Sequence, residues 1–268
     1  VSELSPRPLA GRRILVTRAE EKGNRFARLL EERGAEVLQV PLIRLEDPDS
    51  WEPLDSALTR LASFHHLLFT SANAVDRFFE RLRRQGAAGN LPDTLSITAV
   101  GPRTAQAVAR WGHGVDRVAR AFRAEGILDA LSDLELASRE ILLPRAQEAR
   151  QLLVQELTRR GARVTVVAVY RNVLVEESRQ PLLKALRGGS VDVATFASAS
   201  AVRHFVQLAG AGEVLSLMRD VKVACLGEVT ADEARTLGLD PQIVSARSTL
   251  EDLVEAIAEH YLPPSLSR

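Results

Sequence analysis

The sequence predicts an α/β protein built from two similar doubly wound parallel-sheet domains. Two observations carry this reading. Apolar, strand-like runs alternate with helical patterns from residue 13 onward, and the chain repeats itself at a fixed offset. A length of 268 residues suits two domains better than one.

The elements follow in order. "RILVT" (13–17) precedes a helical pattern over 20–34, and "EVLQV" (36–40) precedes one at about 53–62. "HLLFT" (66–70) leads to a helix over 73–85, and "LSITAV" (95–100) to one over 103–111. Runs of Val, Ile and Leu that are apolar on both faces belong to a parallel sheet, because only helices on each side can bury every side chain of such a strand. The opening "VSELSPRPLA" has two prolines, no initiator Met and no periodicity, and reads as a linker or the joint of a longer chain.

The repeat is extensive. "GRRILVTRAEEKGNRFARLLEERGAEVLQVPLIR" (11–44) aligns with "SREILLPRAQEARQLLVQELTRRGARVTVVAVYR" (138–171), matching Ile14 with Ile141, Arg18 with Arg145, Gly34 with Gly161 and Arg44 with Arg171 at an offset of 127. The same offset pairs Ser71 with Ser198, Val75 with Val202 and Phe78 with Phe205. At 126, Gly101 falls on Gly227, Thr104 on Thr230 and Gly112 on Gly238. Register held this long implies duplication of a five-strand, five-helix unit. It leaves the domain cut open. Contiguous halves would divide near residue 137, whereas "VLQVPLIRL" (37–45) and "VVAVYRNVL" (166–174) could be paired crossings between domains.

Composition removes several classes of function. With 35 basic and 35 acidic residues there is no net field of the kind nucleic-acid or anionic-membrane binders carry. The longest apolar runs, such as "VTVVAVY" (164–170), fall far short of the ~20 residues that span a bilayer. The single cysteine, Cys225, cannot form an internal disulfide and reads as a small core residue of a cytoplasmic protein. The five histidines show no metal-ligand spacing, and no glycine-rich dinucleotide or triphosphate loop is present. None of the three lysines reads as lying at a strand's carboxyl end, which disfavours Schiff-base chemistry. Neither "TSAN" (70–73) nor "SASA" (198–201) is a nucleophile elbow.

What remains is a set of strand-to-helix junctions, where open parallel sheets bind ligands. They are Thr17-Arg18, Thr70-Ser71-Ala72-Asn73, Gly101-Pro102-Arg103-Thr104, Pro144-Arg145, Ala197-Ser198-Ala199-Ser200 and Gly227-Glu228-Val229-Thr230. Small residues let backbone N–H groups approach a ligand, and a helix N-terminus favours an anion by roughly 0.3–1 kcal/mol. Several such ends together suit a polyanion. The competing reading is that the serines only cap their helices, and repetition in both halves weighs against it. Arg18 and Arg145 could clamp carboxylates. Tyr170 is the one candidate with a titratable proton, a phenol of reference pKa about 10 that can donate to an oxygen while neutral. Its counterpart in the first half is Ile43, so it breaks the pseudo-symmetry.

The segments "ILVTR", "LLFTSANAV", "AVGPRTAQA", "FRAEGILDAL", "VAVYR", "TFASASAV" and "CLGEVTADEA", in this order over residues 11 to about 260, resemble the uroporphyrinogen-III synthase family. The resemblance implies two α/β domains joined by a two-strand connector, with the ligand cleft between them. The first would comprise 1–41 with 172–268 and the second 45–168, with connectors at about 41–45 and 168–172. It implies cofactor-free closure of hydroxymethylbilane, a linear tetrapyrrole with eight carboxylates, to uroporphyrinogen III, with loss of water and inversion of ring D. Ser71, Ala72, Asn73, Thr104, Ser198, Ala199, Ser200 and Thr230 would line the cleft, and Tyr170 would assist hydroxyl loss. Thr17, Arg18, Gly101, Arg145 and Gly227 complete the candidate set from the junctions.

"RAEG" (123–126) departs from the pattern, offering no hydroxyl where the second half has Ser248 and Thr249. The expected partner is a small-molecule substrate, with no nucleic acid and no membrane. The chain is expected to act as a monomer, handed its substrate by the preceding deaminase or fused behind a methyltransferase, as "PLAGRR" (8–13) suggests. The alternative reading is a non-catalytic sensor of an anionic tetrapyrrole or another polycarboxylate, which would have no need of Tyr170. A sugar-phosphate or nucleotide enzyme would need an acid/base or phosphate motif that is missing.

Overall fold

The computed structural model describes residues 7–18, 25–86, 90–119, 127, 130–132, 135–148 and 151–262. The "RAEG" segment and the first six residues of the expected linker lie outside them. Eleven strands appear among the described residues: β1 (Arg13–Val16), β2 (Glu36–Gln39), β3 (Ile43–Glu46), β4 (His66–Phe69), β5 (Ser96–Val100), β6 (Arg117–Ala119), β7 (Glu140–Ala146), β8 (Arg163–Leu174), β9 (Val193–Phe196), β10 (Lys222–Cys225) and β11 (Pro241–Val244). The α-helices among the described residues include α1 (Arg25–Glu32), α2 (Glu52–Thr59), α3 (Ala72–Arg84), α4 (Gly101–Arg110), α5 (Leu152–Arg159), α6 (Arg179–Arg187), α7 (Ala199–Ala209), α8 (Val214–Leu217), α9 (Glu228–Thr236) and α10 (Leu250–Tyr261).

The chain forms two compact units. One runs to Arg44 and resumes at Val173, and the other is Leu45–Asn172. The first holds a five-stranded sheet in the order β11-β10-β9-β1-β2, and the second strand set is ordered β6-β5-β4-β7-β8 with β3 beside β8 at the edge. Counted along its own chain, the first sheet is wound 2-1-3-4-5. The second has the same spatial order but enters it at a different point, so one unit is a circular permutation of the other. β1 and β2 stand where β7 and β8 stand.

The duplication reaches the level of single residues. Ile14 pairs with Val193 and Leu15 with Ala194, and 127 residues on, Ile141 pairs with His66 and Leu142 with Leu67. Arg13 opposes Glu36 across β1 and β2, with Nε 2.8 Å from the carboxylate. At the matching place Glu140 opposes Arg163 at 2.7 Å, with the charges exchanged. The complementarity of the pair survives while neither residue does, although so exposed a bridge contributes little to stability.

Each sheet buries both faces, which fulfils the doubly wound reading. In the first unit Ile14, Val16 and Val193 pack under α1 and α10, while Leu15, Ala194 and Phe196 pack under α6, α7 and α9. In the second, Leu67 and Phe69 face α2, α3 and α4, and Leu68, Ile141 and Leu143 face α5. Phe69 meets Phe78 edge-on at 5.4 Å, and the equivalent Phe196 meets Phe205 at 5.0 Å. Burying each such ring is worth roughly 1.5–3 kcal/mol. The two pairs seat α3 and α7 so that their first turns follow directly from the ends of β4 and β9.

Two expectations change. "VLQVPLIRL" is not one extended piece, because Pro41, which has no N–H to give a ladder, separates β2 from β3. The second sheet also has six strands instead of five, since the crossing segment β3 adds to it beside β8.

At His66 one unit carries a titratable residue where the other carries an apolar one. His66 occupies the place of Val193, and burial, with the positive charges of His65, Arg139 and Arg117 adding to it, depresses its pKa. The unfolded chain therefore takes up a proton near pH 6.5 that the folded chain still refuses, and stability falls as pH drops from there through the folded pKa. His66→Val is expected to flatten the decline in Tm between about pH 7.5 and 5.5. An unchanged slope would assign the acid sensitivity to other groups.

Candidate functional site

A parallel sheet sends the carboxyl ends of its strands to one edge, and the crevice for a ligand opens where the winding reverses. In the first unit the reversal falls between β1 and β9, and in the second between β7 and β4. β1 leads into Thr17-Arg18, β9 into Ser198 and β4 into Ser71, whereas Pro144 and Arg145, expected in a junction, lie inside β7 near its carboxyl end, paired with Val167 and Ala168 of β8. The next strand in each sheet, β10 or β5, ends at Gly227 or Gly101. Each unit thus collects its own sequence-predicted residues on three adjacent strand ends.

The serines cap. Ser71 is extended, at φ −155° and ψ 151°, and its Oγ accepts from the Ala74 N–H at 3.1 Å. Ser198 does the same at φ −162° and ψ 156°, accepting from Ala201 at 3.2 Å. The capping reading is therefore realised at both. The N–H groups of Ala72 and Asn73, and of Ala199 and Ser200, lie in the first turn, for which a helix supplies no partner of its own. Gly101 and Gly227 turn the chain sharply from strand to helix at φ 76° and 72°, a region that glycine enters cheaply. A side chain at 227 would also meet Ser248 Oγ at 2.8 Å.

Three threonines turn inward. Thr17 is 1% exposed and its hydroxyl donates to the Thr195 carbonyl at 2.7 Å, while Thr195 donates to the Leu15 carbonyl at 2.9 Å. Thr230 is buried with its hydroxyl on the Leu226 carbonyl at 3.1 Å, and Thr104 is buried too. Their side chains are buried, and the Thr230 N–H is itself bonded to the Gly227 carbonyl at 3.2 Å. The arginines differ from each other. Arg18 is half-buried, but its counterpart Arg145 is only 5% exposed. Burial lowers the Arg145 guanidinium pKa.

Tyr170 is placed by an irregularity. The pairing of β7 with β8 slips between Arg145 and Ala146, whose partners are Ala168 and Tyr170. The extra residue is a bulge, which re-aims the side chains after it. Strict alternation would send Val169 and Tyr170 to opposite faces, yet Val167, Val169 and Tyr170 all join one core cluster. The phenol oxygen comes within 3.3 Å of Ser71 Oγ. No local sequence pattern announces that bulge.

Ser245 was not singled out from the sequence. Its hydroxyl accepts from the Gly227 N–H at 3.2 Å and supports the turn into α9. Thr249 spends its hydroxyl as the cap of α10, accepting from Asp252 at 3.2 Å, which the Thr-x-x-Asp spacing could have indicated. Among the described residues no group of three or more His, Cys, Asp or Glu is disposed to hold a metal ion. Burial pushes the Cys225 thiol up to about 12, so it is no nucleophile at neutral pH. Among the described residues no helix is long and apolar enough to cross a membrane. A groove of about 290 Å³ lies among Leu91, Leu95, Ile97 and His113, at the amino end of β5 and away from these junctions.

Residues 24–255 match the sequence profile of a protein family described as uroporphyrinogen-III synthase HemD. The chain is 30% identical over 261 residues to the uroporphyrinogen-III synthase of Synechococcus elongatus, covering 96% of this chain and 98% of that one. It is 32% identical over 249 residues to a Methanothermobacter thermautotrophicus protein whose uroporphyrinogen-III synthase name is provisional, covering 91% and 97%. The fold matches that of a mutant form of uroporphyrinogen III synthase from the extremely thermophilic bacterium Thermus thermophilus with a TM-score of 0.71 and 23% identity, over 94% of this chain and 100% of the other.

Proposed function

The chain belongs to the uroporphyrinogen-III synthase family, and we propose that it carries out that family's cyclisation with two sets of strand-end junctions and one phenol. The reaction closes hydroxymethylbilane to uroporphyrinogen III with loss of water and inversion of ring D. The linear substrate bears eight carboxylates, and its spontaneous closure leaves ring D uninverted. The protein's work is therefore mainly to hold one conformation in which the inverting attack is favoured.

The N–H groups of Ala72, Asn73, Ala199 and Ser200, with the turns at Gly101 and Gly227, grip the acetate and propionate arms. Arg18 and Arg145 supply positive charge beside them. Tyr170 donates its proton to the departing hydroxyl. The observation that carries this assignment is the phenol held 3.3 Å from the cap hydroxyl of α3, among amides that have no helical partner. In this reading residues 1–41 with 172–268, and residues 45–168, act as two domains on connectors at 41–45 and 168–172. The chain works as a monomer on a small-molecule substrate.

The test supplies freshly generated hydroxymethylbilane to the purified protein and resolves the uroporphyrin isomers after oxidation. Isomer III is expected in excess. Isomer I alone, the product of spontaneous closure, would overturn the proposal.

A further inference from the structure

We infer that Ser71 is the positioning residue of Tyr170, holding the phenol at the first turn of α3 and remaining hydrogen-bonded to its oxygen after the proton has left. The inference rests on the role given to Tyr170 above. The two oxygens lie 3.3 Å apart, and Ser71 is itself fixed by the Ala74 N–H at 3.1 Å.

The duplicated unit supplies an internal comparison. Ser198 makes the same cap, but where the second unit has Tyr170 the first has Ile43. There Ser198 Oγ lies 3.0 Å from Ser200 Oγ, at the place that Asn73 occupies in the other unit. The cap is common to both units, and its second partner is a phenol only in the unit whose β8 bulge delivers one.

A serine hydroxyl has one proton and two lone pairs. With one lone pair on the Ala74 N–H, the other can accept from a neutral phenol and the proton can turn toward a phenolate. One fixed oxygen can therefore serve both protonation states of Tyr170. In the step concerned, the hydroxymethyl C–O bond breaks with its electron pair on oxygen, which takes the phenol proton and departs as water. The pyrrole nitrogen lone pair fills the vacated carbon. The phenolate recovers the proton that ring D sheds as closure restores its aromaticity, so the balance is loss of one water.

The test measures kcat, KM and Tm for Ser71→Ala, Ser71→Thr and Ser71→Asp in the full chain, with hydroxymethylbilane as substrate and each also in a Tyr170→Phe background. Ser71→Ala should lower kcat roughly tenfold or more with little change in KM. Threonine should rescue it, since it restores both cap and hydroxyl. Aspartate, a good cap that has no proton to give, should keep Tm and leave kcat low. In the Tyr170→Phe background the Ser71→Ala loss in kcat should vanish. A Ser71→Asp protein with unaltered kcat, or an equal Ser71→Ala loss in both backgrounds, would reduce Ser71 to a structural cap and overturn the inference. Tyr170→Phe with unaltered kcat would instead remove the assignment of the phenol on which the inference stands.

Discussion

Tyr170→Phe is expected to lower kcat on hydroxymethylbilane by roughly 100- to 10,000-fold, the range typical of losing a positioned proton donor. KM and Tm should stay near those of the parent. The ring is packed with Val167, Val169, Leu67 and Phe69, and phenylalanine preserves that packing. What is lost is one O–H, at 3.3 Å from Ser71. A substitution that deletes a hydrogen used only in the transition state reduces kcat and kcat/KM together. Steady-state kinetics check this, and a fall confined to KM would recast the tyrosine as a gripping residue.

Ala72→Pro and Ala199→Pro are expected to raise KM by roughly 10- to 100-fold each, at nearly constant Tm. Both alanines are the first residue of a helix, where proline fits and removes only an N–H that the helix does not use. The residues before them are already extended, at ψ 151° and 156°, as a following proline requires. Pro102 occupies the corresponding stretch of α4. Losing a hydrogen bond to a charged group costs about 1.5–3 kcal/mol, which sets the size of the effect. Proline at Ser71 would be a poorer probe, since φ −155° lies far from the −65° that its ring imposes. An unaltered KM for both proteins with the fold intact would overturn the amide grip.

Much of the fold was legible because duplication converts weak local signals into a periodic one. Ile14 and Ile141, or Phe78 and Phe205, are individually ordinary core residues, but a constant offset of 127 cannot come from local propensity. The entry point of each unit into its winding was not legible from the repeat. Circular permutation leaves every strand, helix and register pattern as it was and alters only which strand ends are joined. The site was legible as a set of junctions, since small residues between a strand and a helix form a local pattern. How each hydroxyl is spent was not, because Thr17 and Thr230 find their acceptors through three-dimensional packing or a turn of helix. The bulge that aims Tyr170 depends on the pairing of two strands, which no single stretch of sequence records.

The permuted winding also sets an order of events at the ribosome. The unit Leu45–Asn172 is one unbroken stretch, so all of its own strands have emerged once that stretch is made. The opening strand β1 has no such fortune. Its neighbour β9 includes Thr195, whose hydroxyl reaches back 180 residues to the Leu15 carbonyl. At the usual 5–20 residues per second the first strand waits roughly 10 to 40 seconds for that partner. Of these two units, the one whose strands begin to be made earlier is therefore the later to close its sheet, and an interruption of translation before residue 193 would leave β1 and β2 without β9 beside a middle segment whose strands are complete.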